Sequence, residues 1–231
     1  MKKITSVLFL FYCFSVGWAQ TVPPCTLEIT DAETFARDWT VIDVNSDVSA
    51  NTWAYNDGNA MYAQDTRNAA DDWLIAPAVT LEAGKAYKVS AYVKHDGMTF
   101  DKQKIELKIG TAPTVEGLTI RLVYDESFQS KLFVEKSGTF SPAESGVFYV
   151  GLHCSSGSYM GDLYFQKIVI EEAPVYPAQI TDLSIVAGER GAMSATLSWT
   201  WPSSDHLGGA LSSLSGAKIY RGTDLVATLD T

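Results

Sequence analysis

Histidine and cysteine are scarce in this 231-residue chain, with three of each. Zinc asks for about four nitrogen or sulfur ligands, and the chain offers too few that cluster. Basic residues are also in deficit: 17 Lys and Arg stand against 27 Asp and Glu, a net charge of −10. Phosphate backbones are held by clustered cations, so nucleic acid is excluded as a partner. No long stretch has helical spacing, and ETFARDW (33–39) has room for one turn at most. After the N-terminus no apolar run is long enough to span a bilayer. There is no N-x-S/T acceptor, so N-glycosylation does not enter.

The one long apolar run is at the start. Lys2 and Lys3 precede ITSVLFLFYCFSV, and Gly17-Trp18-Ala19 forms a small-x-small cleavage site. This is the pattern of a secretory signal peptide over residues 1–19, with a mature chain from Gln20. Cys13 lacks the small residues that precede a lipidated cysteine. Cleavage leaves 15 basic residues against 27 acidic ones, a net charge of −12, and two cysteines, Cys25 and Cys154. The exported setting permits a disulfide between them; the alternative is two free thiols, because sequence does not show whether the two Cα atoms approach.

The mature chain reads as β throughout. WTVID, AYKVSAYV, QKIELKIG, LTIRLVY, GVFYVGLH and LYFQKIVI are rich in β-branched and aromatic residues, and Gly-containing turns separate them. In KIELKI, Ile105, Leu107 and Ile109 face one way while Lys104, Glu106 and Lys108 face the other, the pattern of a sheet with one face on a core and one in water. The fold class expected is all-β: a jelly-roll β-sandwich over 25–172, a linker over 173–178 stiffened by Pro174 and Pro177, and over 179–231 four strands of a partial immunoglobulin-like sandwich.

Asp71, Asp72, Trp73, Leu74, Ile75, Ala76 and Pro77, followed by Leu81, Gly84, Lys85 and Tyr87, resemble the choice-of-anchor J or cleaved-adhesin domain of secreted Bacteroidota proteins. The resemblance covers about residues 25–172. Where that family commonly has an aspartate pair on its last strand, this chain has Phe165-Gln166-Lys167-Ile168, which weakens any metal site carried over there. Pro177, Leu183, Leu197, Trp199, Pro202, Leu214, Ile219, Tyr220 and Arg221 resemble a fibronectin type III domain, truncated at Thr231. The pairing implies a secreted or surface-attached adhesin.

Three constellations carry candidate chemistry. Trp53 and Tyr55, with Asn56 and Asp57 in NTWAYNDGN, are expected to form an exposed aromatic platform that grips a glycan or an extracellular protein; core filling is the alternative. Glu28, Asp31 and Asp162 are the candidate ligands of a structural calcium where the ends of the domain meet; solvated acids are the alternative. Asp71 and Asp72 are neighbours on a strand and point to opposite faces, so they read as scaffold and not as a paired acid and base. Catalysis has no frame. The turn at 157–161 leads into a strand pattern, LYFQKIVI, not the helix of a nucleophile elbow, and His153 and Cys154 alternate in direction. The expectation is a non-enzymatic, secreted or cell-surface binding module without a cofactor. The alternative is the accessory front of a larger secreted peptidase or glycosidase.

Overall fold

The computed structural model describes residues 21–46, 51–63, 67–98, 100–206, 208–211 and 213–230. The signal peptide expected over 1–19 lies outside them. From Cys25 the chain runs β1 (Cys25–Glu28), α1 (Ala32–Asp38), β2 (Thr40–Asp43), β3 (Trp53–Asn56), β4 (Asn59–Tyr62), β5 (Asp72–Ile75) and β6 (Val79–Leu81). It continues through β7 (Ala86–Asp96), β8 (Gln103–Gly110), β9 (Ile120–Phe128), β10 (Val134–Phe140), β11 (Gly146–Cys154) and β12 (Asp162–Ala173). These strands build two antiparallel six-stranded sheets, packed as a jelly-roll β-sandwich. One has the order β10-β7-β12-β4-β3 with β1 also on β12; the other has the order β2-β5-β11-β8-β9 with β6 also on β11.

Alternation builds the core. Ile105, Leu107 and Ile109 of β8 and Phe148, Val150, Leu152 and Cys154 of β11 are buried between the sheets. Across from them lie Val89, Ala91 and Val93 of β7 and Leu163, Phe165, Ile168 and Ile170 of β12. The apolar positions of β12 change from odd to even after Phe165. A register shift between Phe165 and Lys167 absorbs the extra residue, and without it the second half of the strand would turn its apolar side to water. Each fully buried Leu, Ile or Phe contributes about 1.5–3 kcal/mol.

Two local elements differ from expectation. Residues 32–38 form a full short helix, not a single turn. Asp31 caps it, accepting from the Thr34 amide at 2.7 Å and the Thr34 hydroxyl at 2.9 Å. Phe35 and Trp39, four apart, seat it on the core. NTWAYNDGN is a hairpin, not a loop. Asp57 (φ 43°) and Gly58 (φ 75°) are both left-handed, as a two-residue turn between right-twisted strands requires.

The sandwich is also tied between its sheets. Lys136 of β10 and Asp125 of β9 meet at 2.7 Å. Burial pushes the Asp125 carboxyl up, but the Lys136 ammonium and the Ser127 amide more than offset this and hold it below the usual range.

The proposed bridge between Cys25 and Cys154 is not formed: both are free thiols. Cys25 lies opposite Ile170 on β12. Cys154 lies over the other end of that strand, in a buried network where Ser156 and Gln103 bond one another and Gln103 donates to the Gly161 carbonyl at 2.6 Å. Eight residues of β12 separate Ile170 from Asp162, a span of about 26 Å, beyond any disulfide. Burial pushes the Cys154 thiol up to about 12.

The calcium trio does not assemble either. Glu28 pairs with Lys167 (3.8 Å), five residues along β12 from Asp162, and Asp31 is committed to its helix cap. Among the described residues no group of three or more His, Cys, Asp and Glu is placed to hold a metal ion.

Beyond β12, β13 (Ser184–Ala187) pairs with β14 (Ala195–Ser198), and β15 (Gly216–Arg221) pairs with β16 (Asp224–Asp230). Ile185, Val186, Leu225 and Val226 on these hairpins are exposed.

Two outcomes follow. Thiol titration of a form beginning at Gln20 should find two free thiols after unfolding without reductant; in the native state Cys154 should stay unreactive, since burial disfavours its thiolate. Asp125→Asn should cost about 1 kcal/mol at neutral pH. Because the folded carboxyl titrates below the unfolded one, that stabilisation is complete above the ordinary Asp range and fades as pH falls through the folded value. Urea melts at pH 7 and in strong acid should therefore show the variant and parent converging in acid.

Candidate functional site

The expected aromatic platform does not form. Trp53 is 2% exposed. It packs edge-on to Tyr62 with centroids 6.0 Å apart, and its indole N–H donates to the Asp72 carbonyl at 3.3 Å. Tyr55 packs partly buried against the same core. Asn56 and Asp57 sit at the hairpin tip, exposed, while both rings proposed to flank them pack against the core.

A candidate site lies on the outer face of the second sheet. Trp73 and Ile75 of β5 point outward, away from the sandwich core, and Leu118 covers them. Gly151 of β11 makes room for that cover: a Cβ there would lie 2.4 Å from Leu118 Cδ1. This closes one part of the face with apolar side chains. The rest is a groove of about 810 Å³ whose lining includes Asn45, Asp71, Lys104, Glu106, Arg121, Tyr124 and His153.

Strand alternation sets the floor. Leu152 and Cys154 of β11 point to the core, so His153 points outward, stacked on Trp73 with centroids 4.3 Å apart and planes 6° from parallel. Its Nε2 meets Asp71 Oδ1 at 2.7 Å and its Nδ1 lies 3.6 Å from Glu106 Oε2. The Glu106 carboxylate, 8% exposed, also bonds Arg121 Nε and lies 3.3 Å from Lys108 Nζ. Arg121 rests against Tyr124, 4.7 Å from the ring centroid, with Lys104 Nζ at 5.5 Å. The Tyr124 hydroxyl, with the acids Glu126 and Glu106 nearby, holds the Lys104 ammonium above the ordinary lysine range. Asp71, His153, Glu106, Arg121, Tyr124 and Lys104 thus form a continuous polar chain across three strands and the entry to a fourth.

The rim is pinned by backbone. The Val44 amide donates to the Asp71 carbonyl at 3.0 Å, Asn45 Nδ2 to the Ala69 carbonyl at 2.7 Å, and the Ala70 amide to the Ser156 carbonyl at 2.8 Å. The two adjacent acids have separated as strand geometry requires: Asp72 is fully buried, whereas Asp71 serves the groove. Asp72 fits the scaffold reading and Asp71 does not. His153, Glu106, Arg121, Tyr124 and Lys104 were not singled out from sequence as site residues. The outward polar set of KIELKI contains two of them, and the outward positions of GVFYVGLHC contain a third.

The arrangement is poor for catalysis. Ser155 lines the same groove, but no hydrogen bond joins it to His153, whose Nε2 is taken by Asp71. A glycosidase carboxylate pair needs an open gap for the scissile bond, and the imidazole fills the gap between Asp71 and Glu106.

Glu106→Ala should lower unfolding stability by about 3 kcal/mol, because three cationic or imidazole groups lose a shared, largely buried acceptor. Asp71→Ala, at a half-exposed carboxylate, should cost less than about 1 kcal/mol. Urea denaturation of both variants checks the contrast.

No family model and no curated protein sequence matches this chain. Among solved structures, the K1 cleaved adhesin domain of Lys-gingipain from Porphyromonas gingivalis is similar at 15% identity, covering 65% of this chain and 99% of that one, with a TM-score of 0.48. The CBM22-1 xylan-binding domain from Paenibacillus barcinonensis Xyn10C is 14% identical over 67% of this chain and 97% of that one, with a TM-score of 0.40. The C-terminal CBM6 of LamC from Zobellia galactanivorans is 16% identical over 64% and 99%, with a TM-score of 0.37.

Proposed function

We propose that this protein is an exported, non-catalytic binding module whose outer-face groove holds an extracellular glycan. The observation that carries this reading is the polar chain from Asp71 to Lys104, laid on the outer face of one sheet and locked by its own contacts. A hydroxyl both donates and accepts. A glycan therefore needs carboxylates and cationic donors alternating over several ångströms, held in place before the ligand arrives. Asp71, Glu106, Arg121 and Lys104 supply that alternation, and Tyr124, 41% exposed, supplies apolar area beside it. Export rests on the N-terminal pattern of residues 1–19. No helix among the described residues is long and apolar enough to cross a membrane.

The test is a glycan array probed with the parent chain and with Lys104→Ala and Tyr124→Ala, one partly exposed and one exposed residue, neither of which bonds the Glu106 carboxylate. Each should weaken capture of the bound glycans at least tenfold while the melting temperature stays close to the parent's. Capture unchanged in both variants, or no glycan captured by the parent chain, would overturn the glycan reading.

A further inference from the structure

A second cavity, of about 520 Å³, opens where β7 ends and β12 begins, and it shares no lining residue with the groove. Its floor is bare backbone. A Cβ on Gly161 would lie 2.4 Å from the Gly97 Cα, and a Cβ on Gly97 would lie 2.2 Å from His95 Nε2. His95 is fully buried, and its Nε2 is 2.5 Å from the Met160 carbonyl oxygen. Two glycine segments therefore cross directly over a fixed ring, and nothing larger than hydrogen fits on either. Glycine pairs of this kind bring backbone within reach of whatever fills the space above.

One wall is Tyr159. It is 62% exposed and adopts φ 61°, a conformation uncommon for any residue but glycine, asparagine and aspartate. Burial does not explain the strain, because the side chain is largely in water; the conformation leaves Tyr159 as part of the cavity lining. Around it are Asp96, Asp101 and Lys131. Lys131 Nζ bonds the Gly97 carbonyl and lies 3.5 Å from Asp96 Oδ1, and Asp101 Oδ2 accepts from the Met98 amide at 2.6 Å.

We infer that this cavity is a second ligand site, built for one neutral pyranose residue. The sugar's C–H face lies on the Tyr159 ring, and its hydroxyls meet the carboxylates of Asp96 and Asp101 and the ammonium of Lys131. The mixture of signs selects the ligand class. A cation would have to displace Lys131 from the Gly97 carbonyl, and an anion would meet two carboxylates in a chain of net charge −10. Hydroxyls, each both donor and acceptor, satisfy both signs at once. The inference goes beyond the groove and stands if the groove binds no glycan.

The experiment is an amide-resolved NMR titration with the methyl glycosides of glucose, galactose, mannose and xylose, with tetramethylammonium and glucuronate as charged comparisons. At least one neutral glycoside should shift the Gly97 and Gly161 amides saturably. Tyr159→Gly removes the ring and relieves the backbone; it should weaken that binding at least tenfold while the melting temperature holds or rises. Tyr159→Phe should retain it, and Tyr124→Ala in the groove should leave it unchanged. The site is overturned if no neutral glycoside moves these amides, if binding survives Tyr159→Gly, or if only a charged probe binds. Shifts confined to Lys104, Glu106 and Tyr124 would support the groove and overturn this second site.

Discussion

The two-residue period of β8 and β11 is the constraint on which both the stability and the chemistry of the sandwich depend. Every second residue of these strands is committed to the core: Ile105, Leu107 and Ile109 on one, Val150, Leu152 and Cys154 on the other. The intervening residues have no choice but the outer face. Because the two strands are paired, with His153 opposite Glu106 and Leu152 opposite Leu107, the core register and the groove register are one quantity. A slip by one residue would turn Glu106 and His153 into the core and the apolar set to the outer face. Packing on the inside therefore fixes the spacing of polar groups on the outside, and the groove needs no separate scaffold.

Glu106 is the electrostatic centre of that face. A largely buried carboxylate is costly unless its partners are well placed, and here three groups converge on it: Arg121 from β9, Lys108 from its own strand and His153 from β11. These contacts fix side chains that would otherwise spend rotamer entropy on meeting a ligand. His153 is fixed twice, by carboxylates at its edge and by the Trp73 face beneath it. The imidazole is thereby held in one orientation on the outer face.

Much of the fold was legible because the sheet pattern is local. The alternation in KIELKI and the apolar strands around it depend on neighbours two residues away, and they specify a sandwich before any tertiary contact is known. The site was less legible because it depends on pairing. Asp71, Glu106, Arg121, Tyr124 and His153 come from four segments, and only the ladder β5-β11-β8-β9 brings them to one place. The aromatic reading of NTWAYNDGN failed for a related reason. Asp57-Gly58 marks a hairpin turn, and once the segment is a hairpin Trp53 must fall on one face of a sheet, in this case the inner one. The disulfide and calcium readings failed on distance along β12, a quantity that sequence separation does not carry.

That last strand has a further consequence, in time and not in space. Along one edge β12 carries β7; along the other it carries β4 beside residues 163–165 and β1 beside residues 167–170. The first strand of the sandwich thus has its ladder partner only in the last. A chain delivered N-terminus first must hold β1, and the inner edges of β4 and β7, unpaired until residues 162–173 arrive, so closure of this sheet is a late and long-range event. Until that strand arrives the sheet is in separate parts with open edges, and its arrival closes those edges at once.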